Sequence, residues 1–259
     1  MPYEQTRTYV DSDRFRDALI TQSDVSGLEI RDCWFEERLK IVDCWGRDVY
    51  VAGDFGRIVV NDIDVTAYVE AELDRAEPNR ALARKAQTAD EIRAVWAALE
   101  ATWAATFERV RALPAELHRR RVDDEWSFIE TQRHLLYASD KWLGNPVLEE
   151  DQPYHPLGFG PAGADEADTG LTVDADPSLE EILEPRLARM RTMREFVAGV
   201  IDEDLDRLCA RKPVGNDPDA DYDVRRCLKV VLAEEAEHHR YAVRDLAALT
   251  ADESALRQT

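Results

Sequence analysis

Between residues 224 and 249 a single apolar stripe carries two polar side chains at its centre, and this combination restricts the fold more than any other stretch does. Val224, Leu228, Val231, Leu232, Ala242, Val243 and Leu246 recur at spacings of three, four and seven, the pattern of an amphipathic helix. At roughly 100° per residue, Glu235 and His239 fall near the middle of that stripe, one turn apart. Glu234, Glu237, Tyr241 and Arg244 fall on the other side. A carboxylate among apolar side chains is costly unless it is paired or holds a metal. A facing helix must therefore supply a partner for Glu235 and His239.

Three further stretches have the period to be that helix. Residues 88–113 open on TADE and carry Ile92, Val95, Trp96, Leu99, Trp103, Phe107 and Val110 before Pro114 stops them. Residues 127–143 begin with a capping box, Ser127 followed three residues later by Glu130, and end before Gly144, Asn145 and Pro146. On this helix His134 sits at the edge of a wide buried arc, next to the small residues Ser127, Thr131 and Ala138. Residues 178–201 carry Leu179, Ile182, Leu183, Leu187, Met190, Met193, Val197 and Val200, with Pro185 marking a kink or a restart. Four such helices fit a four-helix bundle. Residues 149–177 lack a period and are rich in Gly, Pro and Asp, so they read as a lid or a disordered excursion. Tyr154, His155 and Phe159 are placed to line a pocket mouth.

The chain from Asp13 counts in fives. The blocks DRFRD, ALITQ, SDVSG, LEIRD and CWFEE each carry an apolar third residue: Phe15, Ile20, Val25, Ile30 and Phe35. The phase continues through Trp45, Tyr50, Phe55, Val60 and Val65, lapsing at Lys40. A quadrilateral β-helix turns a corner every five residues, and the segment resembles pentapeptide-repeat proteins. The alternative is an antiparallel sheet of short strands with turns at SDVSG, WGRD and AGDFG. Both readings make it an all-β scaffold for capping or dimerisation. The expected class is α+β and multidomain: a right-handed quadrilateral β-helix over 1–73, a linker over 74–87 and a four-helix bundle over 88–259.

Composition removes several function classes. A net charge of -21 over 259 residues opposes binding to a phosphate backbone and suggests a cationic or uncharged substrate. No apolar run has the length of a membrane span, and the first residues lack the basic and apolar regions of a secretory signal. Cys33, Cys44, Cys209 and Cys227 form no CxxC pair, so a reduced, cytoplasmic protein is expected. Cys209 and Cys227 read as packing residues.

His134, Glu235 and His239 together offer two imidazoles and a carboxylate, which leaves positions open on Zn²⁺ for water or a thiol. The same set suits iron or nickel. Trp126-Ser127 followed by His134, with Glu235-x-x-x-His239-Arg240 far downstream, resembles the DinB/YfiT-type four-helix metalloproteins. The fourth helix of that family usually carries His-x-x-x-His. Glu235 in the first position is similar to the subset typified by mycothiol-dependent maleylpyruvate isomerase.

The resemblance covers residues 88–249. It implies a divalent metal, Zn²⁺ above Ni²⁺ or Fe²⁺, held by His134, Glu235 and His239, with His238 and Arg240 next to the ligands. It implies thiol S-transfer or isomerisation, in which a low-molecular-weight thiol (mycothiol, bacillithiol or glutathione) attacks a small electrophile as a metal-bound thiolate. The partners expected are these two small molecules and a second copy of the chain in a homodimer, with no nucleic acid and no membrane. Three other readings compete: a metal-stabilised interaction module without catalysis, an oxygen-using iron enzyme, and a plain buried Glu235–His239 pair with no metal.

Overall fold

The computed structural model of the protein describes residues 9, 13–31, 33–53, 55–123, 125–160 and 169–256. A two-residue hairpin, β1 (Val59–Val60) and β2 (Ile63–Asp64), turns on Asn61 and Asp62, both in the left-handed region at φ 47° and 64°. Among the described residues seven α-helices follow: α1 (Thr66–Ala76), α2 (Pro78–Lys85), α3 (Ala89–Arg111), α4 (Phe128–Ser139), α5 (Leu179–Gly199), α6 (Asp202–Leu205) and α7 (Val224–Leu256). Reciprocal capping boxes start three of the four long helices: Thr88 with Glu91, Ser127 with Glu130, and Ser178 with Glu181. A single π turn, Asp140–Gly144, extends α4. α5 passes through Pro185 as one helix, with no restart.

α3 and α4 each pack against both α5 and α7, which closes a four-helix bundle. The stripe expected on α3 is the one buried, with Ile92, Trp96, Leu99, Trp103 and Val110 all 1% exposed or less. Among the described residues no helix is long and apolar enough to cross a membrane.

Residues 74–87, expected to be a linker, are instead mostly helical: α1 takes in 74–76 and α2 takes in 78–85. They fold with the bundle because Arg80 on α2 is held by Glu70 and Asp74 of α1 and by Glu237 of α7, the last at 2.5 Å. α2 packs on α3 and α7. The charge that suggested a connector is ion pairing between helices.

The chain divides into two compact units between residues 54 and 55, not at 73. In the first unit, residues 13–31 and 33–53 contain bends and turns but no strand. The apolar third residues Phe15, Ile20, Val25, Ile30 and Phe35 are 45–57% exposed. A β-helix buries that position in every coil and joins the coils by hydrogen-bonded ladders. Neither feature occurs among the described residues, so the structure does not show the β-helix expected over 1–73. The five-residue count corresponds here to recurrent bends with the apolar side chains left outside.

Candidate metal centre

The capping box at Ser127 sets where α4 begins, and so which face of it carries His134. That face meets α7 at the flank of the apolar stripe, not at its centre. One ligand atom each from His134, Glu234 and His238 lies within 4.8 Å of the others. His134 Nε2 is 3.3 Å from Glu234 Oε2, and His238 Nε2 is 3.1 Å from the same oxygen. Glu234 and His238 are one turn apart on α7, so both reach the same point.

The loop after α4 completes this corner. The buried Arg133 donates to the carbonyls of Leu157, Thr172, Val173 and Ala175, which ties both halves of the loop to α4. Phe159 is thereby seated with its N–H on Arg133 O and its own carbonyl 3.2 Å from His134 Nδ1. A carbonyl only accepts, so a His134 proton on Nδ1 serves Phe159 O and leaves the Nε2 lone pair toward Glu234, whereas a proton on Nε2 serves Glu234 and leaves Nδ1 facing the carbonyl. The Trp126 indole lies 4.7 Å from the His134 ring and is stacked at 5.8 Å on His238. Residues 149–177 were expected as a lid or a disordered excursion; the described parts are fastened in place, and 161–168 lie outside the described residues.

The electrostatics favour a cation at this point. Burial raises the Glu234 carboxyl, but the hydrogen bonds to His134 and His238 outweigh it and hold the group well below the usual carboxylate range. Burial pulls the His134 imidazole below its ordinary value of 6.5, against the opposing pull of Glu234. A neutral imidazole has one proton for two acceptors, Phe159 O and the Glu234 carboxylate, and a cation held at Nε2 beside Glu234 lets Nδ1–H serve the carbonyl. Lys141, seven residues after His134 on the same helical face, is half-buried, and burial lowers its amine while Glu234 opposes that shift.

The structure brings together His134 from the expected set and moves the other two positions by one residue. Glu235 is fully buried against the equally buried Arg186 of α5, Nη2 to Oε2 at 2.5 Å. His239 Nε2 lies 2.9 Å from Thr106 Oγ1, and its ring stands edge-on to Trp103 at 4.8 Å. The Thr106 hydroxyl donates to Thr102 O, so its oxygen accepts the His239 N–H. Neither Glu235 nor His239 converges with His134, and the correction has a simple cause. The centre of the stripe faces the bundle core, whereas the open corner between α4 and α7 lies about 100° away. His238, expected beside the ligands, is one of the three converging groups. Arg240 is instead engaged by Glu237 at 2.7 Å and lies over Tyr241. The signal that identifies Glu235 as a structural residue was present in α5, where Arg186 interrupts the apolar series Ile182, Leu183, Met190.

Burial holds both His134 and His239 below their ordinary pKa. A histidine depressed in the folded state is neutral there while the unfolded chain takes up protons below about 6.5. That stability is complete above pH ~6.5 and lost as pH falls through it. Urea midpoints of the metal-free protein should drop between about pH 7.5 and about pH 5.5, before most carboxylates titrate, and His239→Gln should reduce the drop.

No curated protein matches the chain. Among solved structures, a protein from Streptococcus pneumoniae matches at 14% identity with a TM-score of 0.44, covering 63% of this chain and 92% of its own. The family model described as the DinB superfamily matches residues 98–242, which takes in α4, the loop, α5 and the His134, Glu234 and His238 corner of α7. The chain belongs to the DinB superfamily, a metal-binding fold.

Proposed function

We propose that the protein holds a divalent metal through His134, Glu234 and His238 and transfers a low-molecular-weight thiol to a small electrophile. The observation that carries this reading is the convergence of two imidazole nitrogens on one carboxylate oxygen, with Phe159 O placed to accept a proton from His134 Nδ1. Two neutral nitrogens and one carboxylate suit zinc, with nickel or ferrous iron as the alternatives. Bound there, such an ion supplies a Lewis acid that makes a thiolate available near neutral pH. The chain's own part is to orient and to exclude water. Phe159 O and the Trp126 ring fix the two imidazoles, and Glu234 offsets part of the cation's charge. Mycothiol, bacillithiol and glutathione are the thiols proposed.

Elemental analysis of the purified protein should find one metal per chain. Metal-loaded protein should conjugate glutathione with chlorodinitrobenzene faster than the uncatalysed reaction. Protein without stoichiometric metal would sink the whole reading, and a loaded protein with no excess product across the three thiols would sink the transfer step alone.

A second reading has its own observation. In the first unit Leu19, Trp34, Trp45 and Tyr50 are each at least 74% exposed, and large exposed apolar surface marks association. On this reading the chain is a metal-stabilised interaction module that pairs with a second copy. Metal removal would then lower the unfolding temperature while no thiol and electrophile pair yields product.

A further inference from the structure

Glu234 also forms one end of a groove of about 440 Å³ along α7, walled by Asp223, Arg225, Arg226, Lys229 and Val230. The acidic groups of this groove are already engaged. Asp223 accepts the Arg226 backbone N–H at 2.7 Å as α7 begins, and Glu234 faces His134 and His238. Its cations are less well matched. Arg225 pairs with Asp206 at 2.6 Å, but among the described residues Arg226 donates to Asp221 O and Lys229 to Arg84 O, both backbone carbonyls. Arg226 is also propped over the Tyr222 ring at 4.3 Å. Arg226 and Lys229, one turn apart on α7, thus line one groove with no carboxylate partner for either among the described residues.

We infer that this groove binds the carboxylate of a small anionic molecule, with Arg226 and Lys229 as the groups that select it. The inference rests on the metal-holding reading of His134, Glu234 and His238 for its account of the groove's far end. A cation there cancels the charge of Glu234, and the groove then presents a net positive face. Val230 gives the molecule's carbon chain an apolar wall. The overall charge of the chain repels anions, so this local reversal works as a selector as well as an attractor. A planar guanidinium suits bidentate pairing with a carboxylate.

The test is calorimetric titration of succinate into the zinc-loaded full chain, with inorganic phosphate as the second probe. Arg226→Glu is the primary variant because that side chain is exposed, and Lys229→Gln is the second. Each should weaken succinate binding by about tenfold or more, as expected for losing a charge-assisted contact, with the zinc content unchanged. Succinate bound equally by wild type and both variants, or phosphate bound more tightly than succinate, overturns the inference. Failure of the metal reading is read separately, from zinc content. If the wild type holds no zinc, the same titration on metal-free protein decides the groove: succinate binding lost in Arg226→Glu supports it, and no binding overturns it.

Discussion

Replacing Glu235 with alanine will lower the stability of the protein by roughly 3–5 kcal/mol, the usual cost of stripping one partner from a buried ion pair. The reason is geometric. Arg186 is 0% exposed, sits in the apolar stripe of α5, and takes its carboxylate contact from Glu235 alone among the described residues. The Trp103 ring lies 6.0 Å from its guanidinium but cannot replace a hydrogen-bond acceptor. Burial already presses the Glu235 carboxyl upward, with Arg186 opposing, so neither charge is tolerated without the other. Arg186→Ala should cost a similar amount. The double change Arg186→Met with Glu235→Leu should recover most of the loss, because two apolar side chains of similar volume need no partner. Urea or guanidinium denaturation of the metal-free protein checks this. A Glu235→Ala protein within about 1 kcal/mol of wild type would show that the pair is not the lock between α5 and α7.

That pair also explains how far the sequence could be read. Periodicity and capping chemistry are local, so the buried faces of α3, α4 and α5 and the starts at Thr88, Ser127 and Ser178 follow from spacing alone. His134 was legible for the same reason, standing at the edge of an arc rather than within it. Which carboxylate of Glu234-Glu235 faces the site is a tertiary question. It depends on what lies opposite each one, and only α5 with Arg186 and α4 with His134 decide that. A helical wheel ranks positions by apolar neighbours and thus favours the residue sunk deepest, which is the one most in need of a structural partner. A metal centre that must admit a substrate belongs at the flank. The loop carbonyl of Phe159 had no sequence signal, since every residue has one and only the fold brings it to His134. In the first unit the error ran the other way: a five-residue count was present, but a repeat forms a solenoid only if coils stack and bury its apolar position. Phe15 through Phe35 are outside, so the count alone did not specify the architecture.

Adjacent residues on α7 should therefore respond oppositely to mutation. Glu234→Gln and His238→Ala are expected to weaken zinc binding by more than about a hundredfold, since even groups that merely orient a ligand are worth ten- to a hundredfold, and both residues are partly exposed, so the fold should survive. His134→Ala should do the same, and it also removes the contact with Phe159 O that fastens the loop. His239→Ala should leave the affinity within about threefold of wild type while lowering stability modestly through the lost Thr106 and Trp103 contacts. Competition against a chromogenic chelator measures all four, and circular dichroism at each titration point separates lost affinity from lost structure. The contrast is the decisive part. If His239→Ala released the metal and His238→Ala kept it, the ion would have to sit at the centre of the stripe, where Arg186 already occupies the carboxylate, and the corner between α4 and α7 would lose its claim to chemistry.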